Sequence, residues 1–373
     1  MTNVDFFKRE FPKLGDQFDE ILQSGFLTTG NISRHAETLI TDFLEVDNCL
    51  VVNSWTNGAI IALKALGLGI GDDVLVPAMT FCATANVVHA IGANPILVDV
   101  DRKDGNVTLD NIKDRITPET KAVFVVHMYG KMLNIIEIAE YCNKRGIYLL
   151  EDAAHAFEST YKGIHPGQLS TLAIFSFYAT KNITCGEGGA IVTNNGELAD
   201  KLRELSLHGM TKGAQDRYKN KYYQHYDVLS PGYKANLPDI LSFMLIYQLK
   251  DIEKIRAPRS ELALRYESFF RENKIDEILF DSTLPNNSHH ARHLFPIKIM
   301  NQDRDQFAKR LNDAGISVAV NFRSLTQLSA YSENRAPEAE FLGANCLSLP
   351  FYPNMSEETQ TYLLEQVTQL YQK

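Results

Sequence analysis

From about residue 48 to 195 the chain alternates short, continuous apolar runs with stretches whose apolar positions recur every three or four residues. The runs at 49–52, 73–77, 95–99, 122–126 and 147–150 are rich in Val, Ile and Leu and have strand length, whereas 58–66, 84–91 and 135–144 carry the helical period. Strands that are apolar on both faces and joined by helices predict an α/β unit built on a mostly parallel sheet, covered on both sides. The pattern continues with a β-rich run at 172–178 and an apolar strand at 190–193, separated by a turn ending in Gly186-Glu-Gly-Gly189. Beyond residue 194 the period predicts a helix over 197–207 and a long helical region from Pro238 to about Asn273. A strand at 294–299, a helix at 303–314, a strand at 317–320 and a closing helix at 357–371 then follow as a small α+β lobe. The polar, tyrosine-rich stretch 212–226 reads as a substrate-covering loop. The expected division is a large domain over 1–250 and a small one over 251–373.

Sheets of this kind bind ligands at the carboxyl ends of their strands. Two ionisable residues fall there. Asp152 ends the run Tyr148-Leu-Leu-Glu-Asp, and Lys181 follows the run that closes in Tyr178. An acid able to pair with a pyridine nitrogen and an amine able to form a Schiff base are the minimum that pyridoxal phosphate (PLP) chemistry needs. PLP also needs a phosphate cup and a ring sandwich. Ser54, Trp55 and Thr56 lie between a strand and a helix start, where backbone N–H groups and hydroxyls suit a phosphate dianion. Phe81 follows a strand and is placed to stack on the ring, Ala154 is small enough to pack under it, His155 reaches toward the ring hydroxyl or Asp152, and Ser176 toward the phosphate. Taken singly, each has a plainer reading as a helix cap or a core residue. In this order and at these strand ends they converge on one cofactor. Glu187 is assigned no catalytic role.

Composition narrows the picture. At 373 residues, 45% hydrophobic and 22% charged, the chain is globular and too long for one ordinary core. A net charge of −9 argues against nucleic acid or an anionic membrane as the main partner. No apolar run approaches membrane-spanning length, and the first ten residues lack a signal-peptide core. Five scattered cysteines without a Cys-x-x-Cys pair fit a reducing cytoplasm and give no metal site.

The segments Ser176-Phe-Tyr-Ala-Thr-Lys-Asn-Ile-Thr-Cys-Gly-Glu-Gly-Gly189, Glu151-Asp-Ala-Ala-His155 and Pro231-Gly-Tyr-Lys-Ala-Asn-Leu-Pro-Asp239 resemble those of the DegT/DnrJ/EryC1/StrS nucleotide-sugar aminotransferases, from about residue 18 to the C-terminus. Lys181-Asn-Ile-Thr-Cys185, His208-Gly and Leu229-Ser-Pro-Gly-Tyr-Lys look closest to the branch acting on UDP-linked 4-keto sugars, which includes UDP-4-amino-4-deoxy-arabinose synthases. The resemblance implies a fold-type-I PLP aminotransferase with a mostly parallel seven-stranded sheet. It further implies a homodimer with shared active sites, in which Asn236 meets the cofactor phosphate of the other subunit. L-glutamate is the implied amino donor and a nucleoside-diphosphate keto sugar the acceptor, in surface polysaccharide or related amino-sugar synthesis. Tyr178, Phe322 and Arg323 are the implied substrate contacts. Sugar-dehydrating relatives carry histidine at the Lys181 position, so the lysine favours transamination. Two departures stand out: Asn321-Phe-Arg-Ser-Leu-Thr326 lacks both histidines usual in that stretch, and Trp55 and Asn57 replace smaller residues. The rival readings are another PLP reaction on a sugar, by dehydration or amination at C3, and a non-catalytic PLP-binding regulator.

Overall fold

The computed structural model describes residues 3–8, 15–25, 27–211 and 225–373. The expected loop at 212–226 lies outside the described residues except at its last two positions. In chain order the elements are α1 (Asp16–Gln23), α2 (Asn31–Leu44), β1 (Asn48–Val52), α3 (Trp55–Ala65), β2 (Asp73–Pro77), α4 (Ala83–Ala90), β3 (Asn94–Val98), α5 (Leu109–Lys113), β4 (Thr120–Val126) and α6 (Ile135–Arg145). Next come β5 (Tyr148–Asp152), β6 (Leu172–Ser176), β7 (Gly189–Thr193), α7 (Gly196–Leu205), α8 (Asp239–Leu249) and α9 (Glu253–Glu272). The chain closes with β8 (Phe295–Lys298), α10 (Arg304–Asp313), α11 (Pro337–Asn345), β9 (Cys346–Leu349) and α12 (Glu357–Tyr371).

The first seven strands form one sheet in the order β1-β7-β6-β5-β4-β2-β3. Only β7 runs against the rest, pairing antiparallel with both β1 and β6. Alternation along β1, β6 and β7 feeds two cores. Val52, Leu150, Ile174 and Ile191 point to one face, while Val51, Phe175, Ala190 and Val192 point to the other. All are buried, which is why the sequence shows continuous apolar runs rather than alternation.

A third core joins Phe270, Ile297, Phe307 and Leu363 around the two-stranded sheet β8-β9. Val4 belongs to it, exchanging backbone hydrogen bonds with Gly315 (2.8 Å) and Ser317 (3.0 Å). Here one expectation fails. Residues 317–320 form no strand but only an isolated bridge, Ala319 to Ser348, and the partner of β8 is Cys346–Leu349. Burial decides it: β9 is buried throughout, whereas 317–320 stay half-buried. The long helix expected from Pro238 is two helices, α8 and α9.

Candidate active site

The carboxyl ends of β1, β2, β4, β5 and β6 and the amino end of β7 open on one cavity of about 520 Å³. Asp152 and Lys181 both line it, as do Ser54, Trp55, Thr56, Phe81, Ala154, His155, Ser176, Tyr178 and Phe322. Backbone packing forces several of these together. A Cβ on Gly189 would lie 2.9 Å from the Trp55 nitrogen and 3.0 Å from the Ser54 carbonyl carbon. The strand that follows the lysine turn therefore touches the first residues of α3 directly. Ser54 caps that helix by accepting the Asn57 N–H at 3.1 Å, and the unpaired N–H groups of the first turn make it an anion site.

Asp152 is buried at the end of β5 and accepts two hydrogen bonds, from the Ala154 N–H at 3.1 Å and the Thr84 hydroxyl at 3.0 Å. Burial raises its pKa to about 6, against the pull of those two donors and of the Lys181 charge. Burial also lowers Lys181 to about 8, with Asp152 acting in the opposite sense. His155, buried beside them, is held well below the usual histidine range by burial and the Lys181 charge, so it is neutral at pH 7. An acid and an amine thus share a water-poor site in which neither ionises easily, a pattern typical of reacting centres.

The residues fit PLP. Trp55 Nε1 and His155 Nδ1 are buried without a hydrogen-bond partner. A buried carboxylate with only two neutral donors can take a third from a protonated ring nitrogen. Phe81, 59% exposed, is no core residue; its ring stands 5.8 Å from that of Phe322, which runs nearly parallel to His155 at 6.1 Å. Two expected residues lie elsewhere. Arg323 is exposed and donates to the Gln327 carbonyl at 2.9 Å. Asn236 lies beyond β1, bonded to Thr29 and Lys234 at 2.6 Å each, on a second cavity of about 840 Å³.

Other residues of the site escaped the sequence reading. Thr84 has one hydroxyl proton; giving it to Asp152 leaves its oxygen to accept from Thr80, 3.0 Å away. Their spacing of four at the start of α4 was the available signal. Arg259, His293, Phe6 and Phe7 also line the cavity, as does Glu187, which the sequence reading named without a catalytic role. Thr84→Val keeps the shape and removes the donor. A hydrogen bond to a charged group is worth about 1.5–3 kcal/mol and one pKa unit about 1.4. Losing a bond to the ionised form raises the Asp152 pKa, so the acid limb of the kcat/KM profile is expected to move up by about one pH unit. An unmoved limb removes Thr84 from the mechanism.

Comparison with known proteins gives the family. The model of the DegT/DnrJ/EryC1/StrS aminotransferase family matches residues 12–368. Among solved structures, the chain is similar to the aminotransferase TlmJ from Streptoalloteichus hindustanus, with a TM-score of 0.92, 28% identity and 99% of each chain covered. It is similar to PseC from Helicobacter pylori, an aminotransferase involved in pseudoaminic acid biosynthesis, with a TM-score of 0.89, 26% identity and 100% of both chains covered. It is also similar to Spr1654 from Streptococcus pneumoniae, solved in PLP and PMP forms, with a TM-score of 0.90, 26% identity, and 100% of this chain and 99% of that one covered.

Proposed function

The chain belongs to the DegT/DnrJ/EryC1/StrS aminotransferase family and is a fold-type-I, PLP-dependent transaminase, and from that premise we propose that it aminates the C4 keto carbon of a nucleoside-diphosphate sugar with L-glutamate as donor. The observation that carries this reading is the buried Asp152/Lys181 pair in a cavity walled by aromatic rings. Relatives of similar architecture include an aminotransferase involved in the biosynthesis of pseudoaminic acid, and aromatic faces suit the C–H surface of a pyranose.

When bound, PLP supplies the electron sink that makes the α-proton of the donor acidic. Ser54, Thr56, Ser176 and the first N–H groups of α3 would hold its phosphate. Asp152 would hold the ring nitrogen protonated, and Phe81 would cover one face. Lys181 would anchor the cofactor and, once displaced by the donor, carry the proton between the α-carbon and the cofactor carbon. Its lowered pKa gives a substantial neutral fraction near pH 8, so the amine can accept that proton and return it. The acceptor ketone then meets the same lysine running in the opposite sense. Tyr178 and Phe322 would contact the sugar.

Asn236, which does not line the cavity of its own chain, would complete the phosphate site of a second copy; the working unit in this reading is a cytoplasmic homodimer. Among the described residues no helix is long and apolar enough to cross a membrane.

The test is the visible spectrum of the PLP-loaded protein. L-glutamate is expected to bleach the yellow band, and a nucleoside-diphosphate 4-keto sugar to restore it. A band that glutamate leaves untouched rejects the donor, and one restored only by 3-keto sugars rejects C4.

A further inference from the structure

Residues 177–188, between β6 and β7, contain no helix or strand, so the backbone under Lys181 is not held by regular structure. Within this turn the Lys181 N–H donates to the Tyr178 carbonyl at 2.9 Å. A lysine that leaves and returns needs a fixed Cα beneath a moving amine, because a shift of about 1 Å can cost 10²-fold in rate.

The next residue supplies an anchor. Asn182 is 6% exposed and uses both ends of its amide: Nδ2 donates to the Ala291 carbonyl at 2.8 Å, and Oδ1 lies 3.2 Å from His293 Nδ1. Since the amide oxygen can only accept, the His293 proton is on Nδ1. The segment it grips is itself pinned. Arg259, 3% exposed, donates to the carbonyls of Arg292 at 3.1 Å and His293 at 3.4 Å, and the Ala291 N–H donates to Gly130 at 3.0 Å. The His293 ring stands 4.3 Å from that of His155, and both line the cavity. The charged and titratable groups around this clamp are Asp152 and His155 toward the lysine, and Arg259 and Glu158 behind it.

We propose that Asn182 is a positioning residue: it ties the backbone of Lys181 to the wall 291–293, so that the amine returns to one place in both halves of the transfer. The proposal rests on the role given to Lys181 above, and Lys181 serves both halves. Asn182→Ala is therefore expected to slow the donor and acceptor half-reactions by the same factor, about 10²-fold, with KM for each substrate within about twofold. A residue that merely shaped one substrate's pocket would affect one half alone. The pH midpoint of the yellow band, measured without any substrate, is expected to shift in the same variant.

Asn182→Ser guards against a fold that fails. Its hydroxyl leaves a polar group in the buried site but is too short to reach both Ala291 and His293, so the same equal slowing of both halves is expected in a variant with a cooperative thermal melt. Two results overturn the proposal: a wild-type midpoint with equal rates in Asn182→Ala, or a loss confined to one half-reaction. If the parent shows a band that Lys181→Ala also shows, the assignment of Lys181 fails instead, and the two failures are distinguishable.

Discussion

Lys181→Ala is expected to give a folded protein that does not turn over. General acid–base help alone is worth roughly 10²–10⁴-fold, and this residue would also form the bond to the cofactor, so the loss should be about 10⁴-fold or more. Stability should change little. The amine is buried with a lowered pKa, so below about pH 8 it is a charge that the folded protein accommodates at a cost, and alanine removes that cost. Single-turnover rates with an amino donor, alongside a thermal melt, check both halves. Turnover above about a hundredth of the parent's would end the assignment of Lys181 as the cofactor-binding lysine, since a missing bond-former cannot be half effective.

Asp152→Asn should cost about 10³-fold, near the upper figure for removing one preorganised charge partner. Its effect on stability has the opposite sign and a defined window. The carboxyl titrates at about 6 in the folded protein and near 3.8 when exposed, so the folded state binds more protons between those values. The contribution of Asp152 to stability is accordingly full below pH 3.8 and lost as pH rises through 6. Above pH 6 the buried carboxylate costs up to about 3 kcal/mol at 1.4 kcal/mol per unit. The asparagine variant, studied without cofactor, should thus be more stable than the parent at pH 7 and no more stable at pH 4. Denaturant unfolding at both pH values reads this difference. A parent-like rate, or a stability gain independent of pH, would contradict the role of Asp152.

Much of this arrangement is legible in the sequence because burial on both faces writes a strand as an unbroken apolar run. All seven strands of the main sheet fall within a few residues of those runs. Their order does not follow from periodicity. Nothing in Ala190-Ile-Val-Thr193 says that it inserts antiparallel between β1 and β6. The short strand Cys346–Leu349 hides for another reason: four residues directly after a helix carry too little pattern to separate from it. At the site, Asp152, Ser176 and Ser54 were visible because they stand where strands end. Arg259 and His293 were not, since they arrive from a helix and a loop far along the chain, and only packing brings them to the cavity. Thr84 looked like an ordinary helix residue until its hydroxyl was seen on Asp152.

The indole at the start of α3 has a practical consequence. Trp55 is the single tryptophan of the chain, 7% exposed, and it lies in the wall of the reacting cavity. Its intrinsic fluorescence therefore reports on one place only. Emission excited at the indole should be quenched as a yellow chromophore fills the cavity and should recover as the colour is discharged. Loading, donor reaction and acceptor reaction can then be followed optically in the unlabelled protein, one fluorophore to one site, without a coupling enzyme.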